Sequence, residues 1–396
     1  MEVRIGDSIE CNPTVKLVKG NEYPLIDIDK ITVGRKLVTN KDTIVYEKQS
    51  GCKFQNGDTL MARITPCLEN GKMAMASIPD KGIGSTELFV FRGKKGITDN
   101  DFVYYFLKQS YIRNLAANSM TGASGRQRAD LKFIKKIKFD LPTLPIQQKI
   151  ASTLSAYDRL IENNTRRIRL LEQMAENLYK EWFVRFRFPE HEKVEMVNGL
   201  PKGWERTKLI KNIKTSSGGT PSRNKGEYYK NGTIPWIKTG ELQDCILINT
   251  EECITEDAVN NSSAKLFPKG TLLMAMYGVN VGKLGISEIE ATCNQACCVF
   301  TPKQIDYKYY LFHYLKSIRE YLLSISFGAA QQNLSQELIK SIRVLFPDEK
   351  TNISFVKEVE PLFKEISIIQ QQNQLLTRQR DLLLPRLMSG KLEVKS

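Results

Sequence analysis

The chain has 396 residues, 41% of them hydrophobic, and 58 Lys and Arg against 44 Asp and Glu, for a formal net charge of +14. That length suits two or three domains with real cores, and no apolar run approaches the roughly 18 residues of a membrane span. The charge surplus points to a polyanionic partner, because Lys and Arg that neutralise phosphates release counterions. The opening MEVRIGDSIE lacks the basic-then-apolar pattern of a secretory signal, so a cytoplasmic protein without membrane association is expected.

In chain order, residues 1–142 read as a first globular domain. It has short β-like runs, LMARI (60–64) and ELFVF (87–91), one helix, DFVYYFLKQSYIRNL (101–115), and the polar loop SMTGASGRQR (119–128). Residues 143–187 read as a long helix without internal glycine, followed by a Pro- and Gly-bearing linker, 188–203. Residues 204–347 read as a second domain, with the loop SSGGTPSRNKGEYYKNGT (216–233), the runs TLLMAMY (271–277) and CCVF (297–300), the helix YKYYLFHYLKSIREYLL (307–323) and the loop SFGAAQQN (326–333). Residues 348–396 form a second long helix. Each globular half is α+β with a small, mainly antiparallel sheet.

The halves repeat one another. FIKKIKFDLP (133–142) parallels LIKSIRVLFP (338–347) at a separation of 205, and FQNGDTLMAR (54–63) parallels FPKGTLLMAM (267–276) at 213. The separation drifts within the domains, as loops of different length on one scaffold require.

The helices keep 205 throughout. In the first, Leu154, Tyr157, Ile161, Asn164, Ile168, Leu171, Ala175, Leu178 and Trp182 follow a 3-4 spacing; in the second, Val359, Leu362, Ile366, Ile369, Asn373, Leu376, Arg380, Leu383 and Leu387 do so. Such heptads predict a coiled coil, antiparallel because helix two must run back from the second domain. Asn164 and Asn373 are polar seam positions of the kind that fix register. Arg380 is expected to snorkel out of the seam, and Pro385 to end or kink the last turn. The predicted architecture is two globular target-reading domains separated by an antiparallel pair of long helices, a pseudo-two-fold tandem repeat. A seam of about 28 residues spans roughly 42 Å at 1.5 Å per residue, near the 34–36 Å turn of B-DNA that spaces two major-groove sites.

Polar loops supply the candidate DNA contacts. In the first half these are Arg63, Lys72, Thr121, Ser124, Arg126, Gln127 and Arg128. In the second they are Ser217, Thr220, Ser222, Arg223, Asn224 and Lys225, then Tyr277, Asn280, Lys283, Gln331, Gln332 and Asn333. Arg suits guanine, and Asn or Gln suits adenine, in bidentate geometry, and the glycines of SSGGTPS are expected to let the backbone approach phosphates. Trp182, Phe183, Phe186 and Phe188 read either as a partner-docking patch or as packing of the helix end on its domain. No metal site is expected. Cys293, Cys297 and Cys298 lie in what looks like a buried strand, and His191 and His313, the only histidines, are not at zinc-finger spacing.

LYKEWFVRFRFP (178–189) and LLPRLMSGKLEV (383–394), with LPTLPIQQKIASTLS (141–155) opening the first helix, resemble segments of the DNA-specificity subunit of type I restriction–modification systems. SSGGTPS, IPWIKTGEL (234–242) and GAAQQNLSQELI (328–339) resemble its target-recognition domains. The resemblance covers the whole chain, although the first half lacks the lead-in seen at Trp204–Arg206. It implies that the two domains read the halves of an interrupted, asymmetric sequence in double-stranded DNA. It also implies that the helices space them and dock two methyltransferase subunits using S-adenosylmethionine, with restriction subunits using ATP and Mg²⁺ joining that core. No cofactor is expected in this chain, which has no G-x-G-x-x-G after a strand, no P-loop and no Asn-Pro-Pro-aromatic run; Cys11-Asn12-Pro13-Thr14 is a partial echo. A non-catalytic subunit is therefore expected. The competing readings are a self-contained DNA methyltransferase or nuclease and a coiled-coil protein-interaction scaffold.

Overall fold

The computed structural model describes residues 1–39, 42–122, 126–325 and 333–392. The chain forms two compact units, Met1–Asn163 with Asn373–Ser396, and Asn164–Gln372.

In the first unit, β1 (Ile9–Cys11), β2 (Leu37–Val38), β3 (Thr59–Ala62), β4 (Met73–Ala76) and β5 (Leu88–Gly93) form a sheet of order β1-β5-β3-β4-β2. In the second, β6 (Ile213–Ser217), β7 (Cys245–Leu247), β8 (Leu272–Ala275), β9 (Leu284–Ser287) and β10 (Cys297–Pro302) take the order β6-β10-β8-β9-β7. Both sheets are antiparallel except at one edge, where β2 pairs parallel with β4 and β7 with β9. The repeat is thus one of topology as well as sequence.

Central strands with consecutive buried apolar residues need cover on both faces, and the two-residue period of a strand divides those residues between two cores. Met61, Met73, Met75, Phe89 and Phe91 enter one core of the first unit; Leu60, Ala62, Ala74, Ala76, Leu88 and Val90 enter the other. In the second unit Leu272, Met274, Leu284 and Ile286 face one core, and Leu273, Ala275, Cys297 and Val299 face another. Cys293, Cys297 and Cys298 are buried free thiols on strands. A helix covers each sheet: α1 (Asn100–Lys108) in the first unit and α3 (Lys308–Ser317) in the second. Each is shorter than the sequence suggests, because α1 breaks at Gln109 and α3 at Ile318.

The long helices are α2 (Leu144–Tyr179) and α4 (Glu349–Met388). The first unit holds residues 144–163 of α2 and the last part of α4; the second holds the rest of α2 and the first part of α4. Within each unit the two therefore run antiparallel, tied by Asp158 to Arg380 in the first and by Arg167 to Glu365 at 2.8 Å in the second. Every seam position named from the heptads is buried or half-buried. Buried amides fix where the helices start. Gln147 Nε2 donates to the carbonyls of Ile97 and Pro142 at 2.9 and 2.8 Å, and its repeat equivalent, Asn352, donates to that of Asp306 at 3.1 Å. The first half also has its opening strand: Glu2–Arg4 pairs with Lys138–Asp140 just as Glu205–Lys208 pairs with Arg343–Phe346.

Two expectations fail. Arg380 does not snorkel; it is 2% exposed, because Asp158, itself 7% exposed, supplies its counter-charge and Asp381 accepts a second bond at 2.9 Å. The Tyr105 hydroxyl completes the cluster by donating to Asp158. Pro385 does not stop α4 at once, since the helix runs on to Met388 before it ends.

Trp182, Phe183 and Phe188 are buried against Trp204, Tyr310 and Phe355, as the packing reading requires. His313 joins that core between Tyr179 and Phe363, 4% exposed, and burial pushes its pKa from 6.5 down to about 3. The folded protein thus keeps the ring neutral while the unfolded chain takes up a proton near pH 6.5. The neutral ring's contribution is complete above that pH and is lost as pH falls toward 3. Urea unfolding should therefore show stability declining through this window, and His313→Phe should remove up to about 1.4 kcal/mol per pH unit of that slope. Identical slopes in the two proteins would refute the assignment.

Candidate nucleic-acid interface

In the first unit three segments meet at the end of β3. The Arg63 N–H donates to the Glu87 carbonyl at 3.0 Å, and its own carbonyl accepts from Ala129 at 2.8 Å. Arg128 bridges to Ile64 and Thr121, and the Thr65 N–H donates to Gln127 at 3.0 Å. The loop is thereby drawn onto the strand end, gathering Arg63, Thr121, Gln127 and Arg128. Arg128 grips the Glu87 carboxylate through Nε and Nη2 at 2.9 and 2.6 Å. Those hydrogen bonds hold Glu87 below its usual carboxylate range against the opposing effect of burial, and the nearby Arg63 charge assists. The Arg63 guanidinium lies over the Phe89 ring, 5.0 Å from its centroid, and its buried Nε has no hydrogen-bond partner among the described residues. Thr121 and Arg126 are exposed. Lys72 is half-buried and turned inward, its Nζ donating to the Ile28 carbonyl at 3.1 Å. Ser124 lies outside the described residues.

The same construction recurs at the end of β8. The Met276 N–H donates to Ala296 at 2.8 Å and its carbonyl accepts from Leu334 at 2.9 Å. Met276, Ala296 and Leu334 thus stand where the first unit has Arg63, Glu87 and Ala129. Exposed Asn333 stands where Arg128 does, and the Arg–Glu clamp has no counterpart among the described residues. The fully exposed Val279 and the exposed Tyr277 project from the adjoining loop. Gln331 and Gln332 lie outside the described residues.

The SSGGTPS segment behaves differently from expectation. A Cβ at Gly218 would fall 1.9 Å from the Cys293 carbonyl oxygen, and one at Gly219 2.3 Å from Ser263. These glycines serve close packing inside the domain, not the approach of a phosphate. The turn is further held by Trp236 Nε1 donating to the Gly219 carbonyl at 3.0 Å. Ser217, half-buried, ends β6, and Thr220 bonds to Gln295. Arg223 stacks on Tyr229 and Trp236 at 4.2 and 5.0 Å and pairs with Glu252 at 2.8 Å. Lys225 Nζ donates to the Tyr228 hydroxyl at 2.9 Å, while Ser222 and Asn224 are exposed. Asn280 is buried, its amide donating to the carbonyls of Thr239 and Gly240 at 3.1 and 3.0 Å, and Lys283 donates to Gln243. Asn280 is thereby committed inside the domain, whereas the bond of half-buried Lys283 lies at the surface.

The structure thus places Arg63, Thr121, Gln127 and Arg128 together at one edge, and Thr220, Tyr277 and Asn333 on segments joined at another. It adds Glu87 and Gln295, which sequence reasoning passes over. Nothing local marks Glu87, since an acidic residue at a strand end carries no pattern until its arginine partner is seen.

The family profile described as type I restriction modification DNA specificity domain matches residues 2–173 and again 201–378. The type I restriction enzyme MjaIX specificity subunit of Methanocaldococcus jannaschii is 27% identical over 310 residues, covering 76% of this chain and 71% of that one. The HindI specificity subunit of Haemophilus influenzae is 24% identical over 407 residues, covering 86% and 87%. The crystal structure of a type I restriction–modification S subunit from M. genitalium shares the fold, with a TM-score of 0.58 at 16% identity over 98% of this chain and 96% of that one. The chain belongs to the type I restriction–modification DNA specificity family and carries its domain twice. It is a specificity subunit, the DNA-recognising and non-catalytic component of such a system. Among the described residues no helix is long and apolar enough to cross a membrane.

The clamp has a measurable consequence. Glu87→Gln should release Arg128 and lower the ratio of specific to non-specific DNA affinity by roughly tenfold, the value of one good bidentate contact. Non-specific affinity should rise as a negative charge leaves the edge. Binding titrations of the assembled complex on cognate and scrambled duplexes at one salt concentration measure both, and an unchanged ratio would remove Glu87 from the recognition edge.

Proposed function

We propose that the two strand-end edges read the two parts of an interrupted, asymmetric DNA sequence. One observation carries this reading: the same backbone arrangement recurs at the ends of β3 and β8 but presents Arg63, Glu87 and Arg128 at one and Met276, Ala296 and Asn333 at the other. A common scaffold fixes the approach to the duplex, while different donors and acceptors select different bases. Exposed Arg126, Ser222, Asn224 and Tyr277, with half-buried Gln127 and Thr220, extend these edges. On this reading residues 1–142 and 204–347 are the target-recognition domains, 143–187 and 348–396 the spacers, and 188–203 a connection.

The helices hold the spacing between half-sites and offer their outer faces to two methyltransferase subunits. Those subunits bring S-adenosylmethionine for adenine methylation; restriction subunits, where present, bring ATP and Mg²⁺. The assembly acts on chromosomal and incoming DNA in the cytoplasm. The net charge of +14 favours phosphate contacts and gives binding a steep salt dependence.

Mapping methylated adenines across the genome with and without this gene tests the reading. The expected result is loss of one motif made of two unlike half-sites and a fixed spacer; loss of a continuous motif, or of none, would contradict it. Inserting four residues into α2 alone shifts the seam against α4. The map from that variant should show altered spacing or no methylation, whereas unchanged spacing would contradict the role given to the helices.

A further inference from the structure

The first unit contains a cavity of about 420 Å³ between the end of α1, the turn joining β3 to β4, and the last turns of α4. Its volume falls within the range that holds small molecules. Met61, Leu68, Leu107 and Leu384 supply an apolar wall, and Lys72, Lys108 and Arg113 line it too. None of these three cations has a carboxylate partner among the described residues. Lys72 has only the Ile28 carbonyl. Arg380 also lines the cavity, but Asp158 and Asp381 already neutralise it.

Lys108 is the most telling member. Its Nζ is buried, has no hydrogen-bond partner among the described residues, and lies 5.6 Å from the centroid of the Tyr104 ring. Burial and the charge of Arg380 push its pKa down to about 8 against the opposing pull of Asp158 and Asp381, and both of those carboxylates are bound to Arg380 instead. A buried charge is ordinarily paired. Gly71, held at a φ of +73°, keeps the space beside Arg113 clear; a Cβ there would lie 2.7 Å from Arg113 Nη1.

The repeat provides an internal comparison. In the second unit the corresponding place holds a smaller cavity of about 220 Å³, with His313 where Lys108 stands and Ala175 where Arg380 stands. Glu172 and Asp244 line it beside Lys316. Lys316 pairs there with Glu176 at 2.9 Å, whereas in the first unit Asp381, which also lines the cavity, is bound to Arg380, and Lys72, Lys108 and Arg113 have no carboxylate partner among the described residues.

We propose that the cavity of the first unit is a binding site for a small organic anion. Lys108 and Arg113 hold its phosphate or carboxylate, Lys72 completes the positive wall, and its apolar body rests on Leu68, Leu107 and Leu384. Because α4 forms one side, an occupied site fastens the end of that helix to the first domain. The ligand is therefore a stabilising effector of the junction, separate from the DNA-reading edges.

Calorimetric titration of the full chain with phenyl phosphate, benzoate and inorganic phosphate tests this. One of the two aromatic probes should bind with one-to-one stoichiometry and more tightly than inorganic phosphate, and the tighter one names the anionic group. Lys108→His, which installs the second unit's residue, should weaken that binding by about tenfold, the worth of one charge-assisted hydrogen bond. Arg113→Gln should weaken it in parallel, and unchanged urea midpoints for both variants show that the loss is not unfolding. A saturating cognate duplex should leave probe binding intact, which separates this cavity from a phosphate site on the DNA-reading edge. Absence of saturable binding, equal affinity in Lys108→His, or displacement of the probe by DNA would overturn the proposal.

Discussion

The long helices cannot be separated from the cores they join, and that continuity is the constraint on which the structure depends. Leu154, Leu384 and Leu387 belong to the same buried cluster as Phe89 and Phe102 of the first domain. Ala175, Val359 and Ile366 belong to the cluster of Leu272 and Tyr310 in the second. An apolar seam at 3-4 spacing must be covered, and here the partner helix and the domain cover it together. Gln147 and Asn352, buried at the two helix starts, fix the axial position as well. A helix anchored in this way cannot gain or lose a residue without misaligning side chains on two surfaces. That accounts for a separation held at 205 through the helices while it drifts inside the domains.

The junctions show how far a repeat can diverge within that constraint. Where the first unit buries Asp158 against Arg380, the second has Phe363 and Ala175, with Phe363 packed on Tyr309 at 4.7 Å. Both solutions fill the space. The ionic one is stable because each charge has its partner and Tyr105 satisfies the carboxylate further. The strand-end edges diverge in the opposite sense, keeping the backbone bonds of Arg63 and Met276 while changing what the surrounding side chains offer. Core positions are constrained by volume and pairing, and edge positions, on the proposed function, by the bases they read.

Much of this is legible in the sequence. The heptads name seam positions that all turn out covered, and the paired motifs recover the order of two domains and two helices. The misreadings share one cause, a partner remote in the chain. Arg380 looks like a surface cation until Asp158 is placed beside it. Asn280 has the composition of a base-reading loop, yet its amide is used by the carbonyls of Thr239 and Gly240. The glycines of SSGGTPS suggest a phosphate cradle, yet the close neighbours that demand them are Cys293 and Ser263. Glu87 is invisible for the same reason, its role being defined by Arg128.

The central claim is that two edges of like build and unlike side chains read the two parts of one target independently. Genome-wide maps of methylated adenine from cells carrying Arg128→Ala or Asn333→Ala test it most directly. The account predicts that each variant relaxes the sequence of one half-site, a different one in each case, while the other half and the spacer length stay as in the parent. Simultaneous relaxation of both half-sites by either substitution would contradict it.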